Sequence, residues 1–496
     1  MTCADGSSPV YTGLSNICSS MIGTASSASD GECNACPEAP NSCPPPGATP
    51  CTLARCRTEP SPLDAPWPQA GRDAGRRSAS PYVGPTNSLS LAWMHAIDLG
   101  AAFTGLTVGP GDALYAARNS SGGEPLGLLR LAGGAAGGAV AWSSGLPLAS
   151  VAFSVGPWGT LLGALSSDSG ARTAAVLSAQ SGALVGYMAG SSTQSASALG
   201  EVVMAEDLSA WTLGGAGSAP QPPPPAPPLP SNAAAFLAWL PPYAVAGAQA
   251  TFDFSAAPAD GALLLLPAFA NGTIFCAGAN STDLQSLAYQ DTTGSAVRLW
   301  NYTSPHGALA AMSLAWDGSM VYVGSADGTV VALSAVDGSV QWERSPCPRP
   351  CTFSSSALGA LSLDGDQLFM PVAAVDAAHG PAAAATAPTT SNAATAAAST
   401  ENGFSGVVAL DTLSGNTTWS YPTKGAAMAL AVDASGQLFI GDAFGTVSAV
   451  DQGSGVPNMI NKTATLGNAV LANGLALGES GVLYVVTNSS VLAMVS

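Results

Sequence analysis

The groups able to do covalent, metal or acid–base chemistry in this 496-residue sequence are ten cysteines, three histidines and thirty-one carboxylates, and their spacing limits what they can do. Seven cysteines fall in the first 56 residues: Cys3, Cys18, Cys33, Cys36, Cys43, Cys51 and Cys56. The pair in CNAC (Cys33, Cys36) has the spacing of half a zinc site or of a redox dithiol. A zinc ribbon needs a second such pair and a thioredoxin-like motif needs a βαβ context, and neither is present. Disulfides are the expectation, because a segment this poor in apolar residues needs covalent staples. In CPRPC, Cys347 and Cys351 sit four apart between prolines, the spacing of a local staple across a loop. The seven N-terminal cysteines plus Cys276 then make an even set, which permits a bridge from the N-terminal module to the body.

His95, His306 and His379 are far apart and form no HxH or HxxxH spacing, so no metal site is assigned to them. The chain holds no GxSxG elbow, HExxH pair or GxxxxGK[ST] loop, and GGAAGG (133–138) reads as a turn because no helical pattern follows it. The formal net charge of -18 is spread along the chain, with only 9% of residues charged. Nucleic-acid binding is excluded on that ground, since no basic stripe exists to displace phosphate counterions. An acidic balance is compatible with Ca2+ or basic partners, and equally with simple solubility.

Cysteine usage points to an extracellular or cell-surface location, and seven N-x-S/T sequons agree with it: Asn119, Asn271, Asn280, Asn301, Asn416, Asn461 and Asn488. MTCADGSSPVYTG lacks the basic start and apolar core of a secretory signal. Secretion therefore implies a mature fragment or an incomplete gene reading. No apolar run reaches the length of a membrane-spanning helix.

The elements that must carry these residues are strands. Short β-rich runs recur eight times: ALYAAR (113–118), TLLGAL (160–165), EVVMAE (201–206), ALLLLP (262–267), MVYVGS (320–325), QLFMPV (367–372), QLFIGD (437–442) and VLYVVT (482–487). Asp-Gly pairs at 260–261, 317–318, 327–328 and 364–365 suit the positive-φ positions of hairpin turns, so each unit reads as an antiparallel meander. Most units lie about 41 to 47 residues apart, the size of a four-stranded propeller blade. Two low-complexity stretches stretch the spacing, a Pro-rich insert at 216–233 and an Ala/Thr-rich insert at 377–402, and both are placed in exposed loops.

One motif closes the units. Ala332, Gly338 and Trp342 occupy positions one, seven and eleven of ALSAVDGSVQW, and Ala409, Gly415 and Trp419 do the same in ALDTLSGNTTW. Weaker copies are Ala132, Gly138 and Trp142, and Ala449, Gly455 and Met459. In units two and three the Trp position degenerates, to Tyr187 and Trp239. The expected roles are a small Ala where blades approach, a Gly for the turn, and an indole lying across the next blade, each ring burying about 150–250 Å2. Trp158, Trp211 and Trp316 lie outside the motif and are assigned to core packing ahead of a binding surface or channel.

VYVGSADGTVVALSAVDGSVQW resembles the repeat of the quinoprotein alcohol dehydrogenase-like eight-bladed propellers, and PWPQAGRDAGRRSASPYVGP (66–85) is similar to their lead-in segment. The resemblance runs over about residues 65–496 and implies an all-β, eight-bladed β-propeller of four-stranded antiparallel blades, behind a Cys-rich module at 1–64. It also implies that a strand at 89–97, anchored by Trp93, completes the last blade. The family's enzymes use an adjacent Cys-Cys disulfide, a Ca2+ held by carboxylates and amides, and a carboxylate base. No Cys-Cys pair occurs here. The expectation is a non-enzymatic surface glycoprotein that needs no cofactor and presents loops to other extracellular or surface glycoproteins. A divergent quinone- and Ca2+-dependent dehydrogenase and a glycan-binding propeller are the alternatives.

Overall fold

The computed structural model describes residues 65–146 with short gaps, the strands within 154–240 and 268–303, and residues 304–496 apart from 347–350, 354–358, 375–403, 458–462 and 467. The N-terminal module and both inserts lie outside the described residues, except that Ala216 ends a strand.

Every sheet is an antiparallel meander. In the best-formed one, Leu309–Leu314, Met320–Ser325, Val330–Ser334 and Val340–Arg344 pair in chain order. Ala101–Val108 through Val140–Ser144, Ala268–Ala270 through Ser295–Thr303, and Ala427–Val432 through Thr463–Thr465 repeat the plan. We call these units blades. In the blade at 351–422 the innermost strand is broken in two, so that Cys351–Phe353 and Ala360–Leu361 both pair with Gln367–Ala374. A seven-stranded sheet holds one four-strand group, 154–187, and one three-strand group, 196–240, joined by a single pair, Ala196 and Arg172. The last blade takes its outer strand from far upstream: Ser90–Ala96 pairs with Ser490–Val495.

Burial falls from the inside of each blade outward, for a geometric reason. Inner strands are flanked by sheets on both faces and read as continuous apolar runs, as in Leu483–Thr487, buried at all five positions. Outer strands diverge from their neighbours and stay open, so that in VQWER only Trp342 is buried. Innermost strands touch in succession, 427–432 against 470–477, 470–477 against 101–108, and 101–108 against 154–156, which carries packing across the junction between the chain's two ends.

Turn chemistry sets the hairpins. Gly328 (φ +86) follows Asp327, whose carboxylate accepts from Thr329 N at 2.9 Å. The side chain thus substitutes for a backbone acceptor where the chain reverses.

Candidate functional site

The densest concentration of specific contacts lies at the joints between blades. Five tryptophans stand on outer strands, and each donates its indole N–H to a backbone carbonyl in the next blade's third-to-fourth-strand turn. Trp93 bonds Gly134 O (2.8 Å), Trp142 Ala179 O (3.2 Å), Trp300 Ala335 O (2.9 Å), Trp342 Thr412 O (2.8 Å) and Trp419 Gln452 O (2.9 Å). Each ring also lies flat over a glycine of that turn. A Cβ on Gly338 would come within 2.6 Å of Trp300, and one on Gly415 or Gly455 within 2.5 Å of Trp342 or Trp419. Glycine is required there twice over, by the ring's approach and by φ values of +67 to +71.

Alanine's role is broader than the expected one. Ala332 faces Trp342 across the strand pair on one side and Tyr322 on the other, and Ala409 lies likewise between Trp419 and Phe369. The two rings close over the methyl group, with centroids 6.0 Å apart for Tyr322–Trp342 and 5.5 Å for Phe369–Trp419. Alanine is small where an aromatic bridge closes over it within its own blade, and it also belongs to a core shared with the next blade: Ala332 clusters with Phe353 and Leu368, Ala409 with Leu430 and Ile440. Ala493 serves Tyr484 and Trp93 in the same way, and Ser286 stands nearest Trp300.

Two weaker copies need correction. The turn at 132–138 is two residues longer than that at 334–338, so Arg130, not Ala132, pairs with Trp142, and its guanidinium lies 5.9 Å from the Tyr115 ring centroid. In the second unit Gly186 holds the register position of the tryptophan, opposite Val176, and Tyr187 falls one residue past it. Trp239 pairs in register with Trp211. Met459 and Trp158 lie outside the described residues.

Carboxylates cap turns. Asp411 Oδ1 accepts from Ser414 N and Oγ (2.7 and 2.6 Å), Asp451 binds Ser454 in the same way, and buried Asp433 accepts from Ser435 and Gln437 N while its second oxygen takes Gly84 N at 2.8 Å. Serine hydroxyls first, and backbone N–H groups after them, hold Asp317, Asp337 and Asp411 below the usual carboxylate range.

A second constellation lies in the segment similar to the family's lead-in. Residues 65–86 form a strap across the end of the blades at which innermost strands finish. Trp67 bridges Val108, Ala79 bridges Val432, and Leu361 N donates to Arg77 O at 2.8 Å. Arg77 donates to Leu314 O (3.3 Å) and Ala315 O (3.2 Å), pairs with Asp73 (3.1 Å), and stacks 4.6 Å from the Trp316 ring centroid. Arg72, Arg76 and Ser78 adopt positive φ, which the strap's contacts sustain. The signal was present in RDAGRR, a cluster of arginines in an acidic chain. Trp316 Nε1 donates to Ser362 O at 2.7 Å, so this ring packs between two blades.

At the seam between the last blade and the first, buried Asp112 (φ +56) accepts from Glu479 N at 2.7 Å and Ser480 N at 3.2 Å, and from the Ser480 hydroxyl. Gly134 N donates to Tyr484 Oη at 2.6 Å beside it, and burial chiefly pushes that phenol well up.

His306 lies between two carboxylates, Nδ1 3.0 Å from Asp327 and Nε2 2.9 Å from Glu343, the latter an ion-pair distance without hydrogen-bond alignment. The carboxylates contact opposite nitrogens of one ring, so they do not converge with it on one ion. His95 lies on an outer strand 6.5 Å from Phe103, and His379 is outside the described residues. Among the described residues no three His, Cys, Asp or Glu side chains are grouped to hold a metal. Asn301, Asn416 and Asn488 are exposed and Asn119 half-buried, whereas Asn271, Asn280 and Asn461 lie outside the described residues. Cys276 and Cys351 occur in strands, and the other cysteines are outside the described set.

Residues 251–493 match the protein family described as outer membrane protein assembly factor BamB, whose model is of the PQQ repeat type. The chain is similar over 88% of its length to quinohemoprotein alcohol dehydrogenase ADHIIG from Pseudomonas putida HK5, with TM-score 0.59, 12% identity and 80% of that chain covered. It is similar to the quinohemoprotein alcohol dehydrogenase of Comamonas testosteroni at TM-score 0.56 and 13% identity, covering 88% of this chain and 81% of that one. The computationally designed Ika8 protein aligns at TM-score 0.52 and 11% identity, over 84% of this chain and 99% of its own. No curated protein sequence matches. At these identities the likeness shows the all-β propeller fold alone and assigns no chemistry. The sequence contains no Cys-Cys pair, and among the described residues the turn aspartates Asp411, Asp433 and Asp451 accept hydrogen bonds from neighbouring serines and backbone N–H groups.

Proposed function

We propose that this protein is a secreted or cell-surface glycoprotein acting as a non-enzymatic propeller scaffold for protein–protein or matrix assembly. On this reading the ring has eight blades, with the strands at 196–240 as one, and its partners are other extracellular or surface glycoproteins. One observation carries it: the PQQ-like motif is spent on joining blades. Its tryptophans bond the next blade's turns and its aspartates cap their own, which leaves recognition to the outer surface and loops. Cysteine usage and the sequons support the extracellular location, and no cofactor is required, with Ca2+ at most an accessory ion.

The competing reading, a divergent quinone- and Ca2+-dependent dehydrogenase, draws support from the shared fold. Purified protein reconstituted with quinone and Ca2+ and assayed for dye-linked alcohol oxidation separates the two. The scaffold reading expects no turnover and expects neighbouring surface proteins to crosslink in native material; saturable alcohol oxidation would overturn it. A glycan-binding propeller would instead give saturable, sequence-specific binding on a glycan array.

A further inference from the structure

The outer strands of the ring are unlike one another. Those at 295–303, 340–344 and 417–422 bear charge, a sequon, or lie beside one: Arg298 and Asn301, Glu343 and Arg344, and Asn416. Three others, Ser90–Ala96, Val140–Ser144 and Leu184–Tyr187, contain no Asp, Glu, Lys, Arg or sequon. These three are neighbours on the rim, because Trp93 of the first docks on the blade of the second and Trp142 of the second on the blade of the third. Their turns are equally bare, with no charged residue in 86–97, 132–147 or 173–200. Across this arc Leu91, Met94, Val140, Leu184 and Val185 stand 36–57% exposed.

We infer that this arc is a self-association surface, and that its occupant is the same arc on a second copy of the chain. The charge distribution selects the occupant. A chain of formal net charge -18 repels its own copies over most of its surface, and an uncharged arc is where two copies meet without that penalty. The cations that reach it, Arg118 on Ser143 Oγ (2.8 Å) and Arg130 on Ala179 O (3.5 Å), come from inner strands of the middle blade. The match is self-complementary, as a two-fold interface requires, and sets aliphatic side chains against aliphatic side chains. Val140–Ser144 is the middle strand and, among the described residues, an edge of its sheet, paired there with Pro125–Leu131 alone. A two-fold axis beside it brings its free backbone groups antiparallel to those of its copy, which closes an otherwise exposed edge. The inference deepens the assembly reading and rests on it.

The test is the mass of the full chain by light scattering during size exclusion across a dilution series. The native protein is expected to give twice the chain mass at high concentration, and hydrogen exchange at 90–96, 140–144 and 184–187 is expected to slow as the dimer forms. Val140→Glu and Met94→Glu, both on exposed positions, are expected to give the monomer mass. Val336→Glu and Leu413→Glu, at turn tips 82% and 88% exposed outside the arc, are expected to remain dimeric. A native chain that stays monomeric, or a dimer lost equally in the control variants, overturns the inference. Exchange measured on the native chain decides the matter if a variant fails to fold. Dye-linked oxidation by the same preparation reports separately on the scaffold reading, so a monomer without turnover sinks this inference alone and a dimer with turnover sinks that reading alone.

Discussion

Replacing Gly415 by alanine isolates what one blade joint contributes. The new Cβ would lie 2.5 Å from Cε3 of Trp342, 2.7 Å from its Cδ2 and 2.8 Å from Cγ of Arg344, where ordinary contacts begin near 3.4 Å. An L-residue at φ +70 also carries a backbone cost of about 1 kcal/mol. Forcing a methyl into a filled site adds about 1–3 kcal/mol, for a total of about 2–4 kcal/mol. Two other glycines separate these contributions. Gly307 has φ +83 and nothing within 4 Å, so Gly307→Ala should show the backbone cost alone, about 1 kcal/mol. Gly453 is not in the left-handed region and meets only Asp451 Oδ1 at 3.5 Å, so Gly453→Ala should change stability by less than about 1 kcal/mol, with a stabilising sign. Urea unfolding followed by circular dichroism ranks the three. Removing the ring supplies the decisive arm: Trp342→Ala should itself destabilise by about 3–5 kcal/mol, and Gly415→Ala added to it should then cost only its backbone share. If Gly415→Ala is no worse than Gly307→Ala, or is equally harmful without the indole, the docking argument is wrong.

Arg77→Met strips donors from Leu314 O and Ala315 O and removes the guanidinium from Asp73, which keeps Arg72 and the residue-77 N–H, so unfolding should be easier by about 1–3 kcal/mol, with Arg77→Lys recovering only part. Asp112→Ala removes the carboxylate that accepts from Glu479 N and Ser480 N and puts at φ +56 a residue less tolerant of the left-handed region than Asp; hydrogen exchange at 478–484 should accelerate about tenfold or more, and Asp112→Asn, which tolerates that φ, should do less harm. Burial, opposed by a hydrogen bond from Thr412 and aided by Asp317 and Asp411, raises Tyr322 to about 12. The native state thus favours the neutral phenol, and stability should hold below about pH 10 and fall between there and pH 12, by about 3 kcal/mol from this group, with phenolate absorbance rising as the chain unfolds. A chain equally stable at pH 8 and pH 12 would contradict that assignment.

The propeller was legible because its joints impose a strict spacing. A glycine under a ring and a tryptophan four residues later cannot drift without losing both contacts, so Gly338–Trp342 and Gly415–Trp419 stand out in the raw sequence. Alanine was harder to interpret, since its aromatic partners Tyr322 and Phe369 stand on another strand whose register is invisible along the chain. The misplacement of Ala132 has a similar cause: two extra turn residues preserve the glycine-to-tryptophan interval but displace everything before it. At the second unit, Tyr187 drew attention because it is aromatic, whereas pairing gives the position to Gly186. Sequence similarity marked the strap as a lead-in, yet the partners of Arg77 are carbonyls some 240 residues downstream, and no local pattern announces them. The bare arc was readable only after topology had made three distant strands neighbours.

The union of Ser90–Ala96 with Ser490–Val495 has a consequence for how the molecule is made. As the chain leaves the ribosome, the first strand must wait, unpaired and carrying Leu91, Trp93 and Met94, until the last has been synthesised. Every other four-stranded sheet can be completed from contiguous sequence. Ring closure is therefore the final act of folding, and a ribosome that stalls short of residue 490 leaves behind an open arc with two sticky ends.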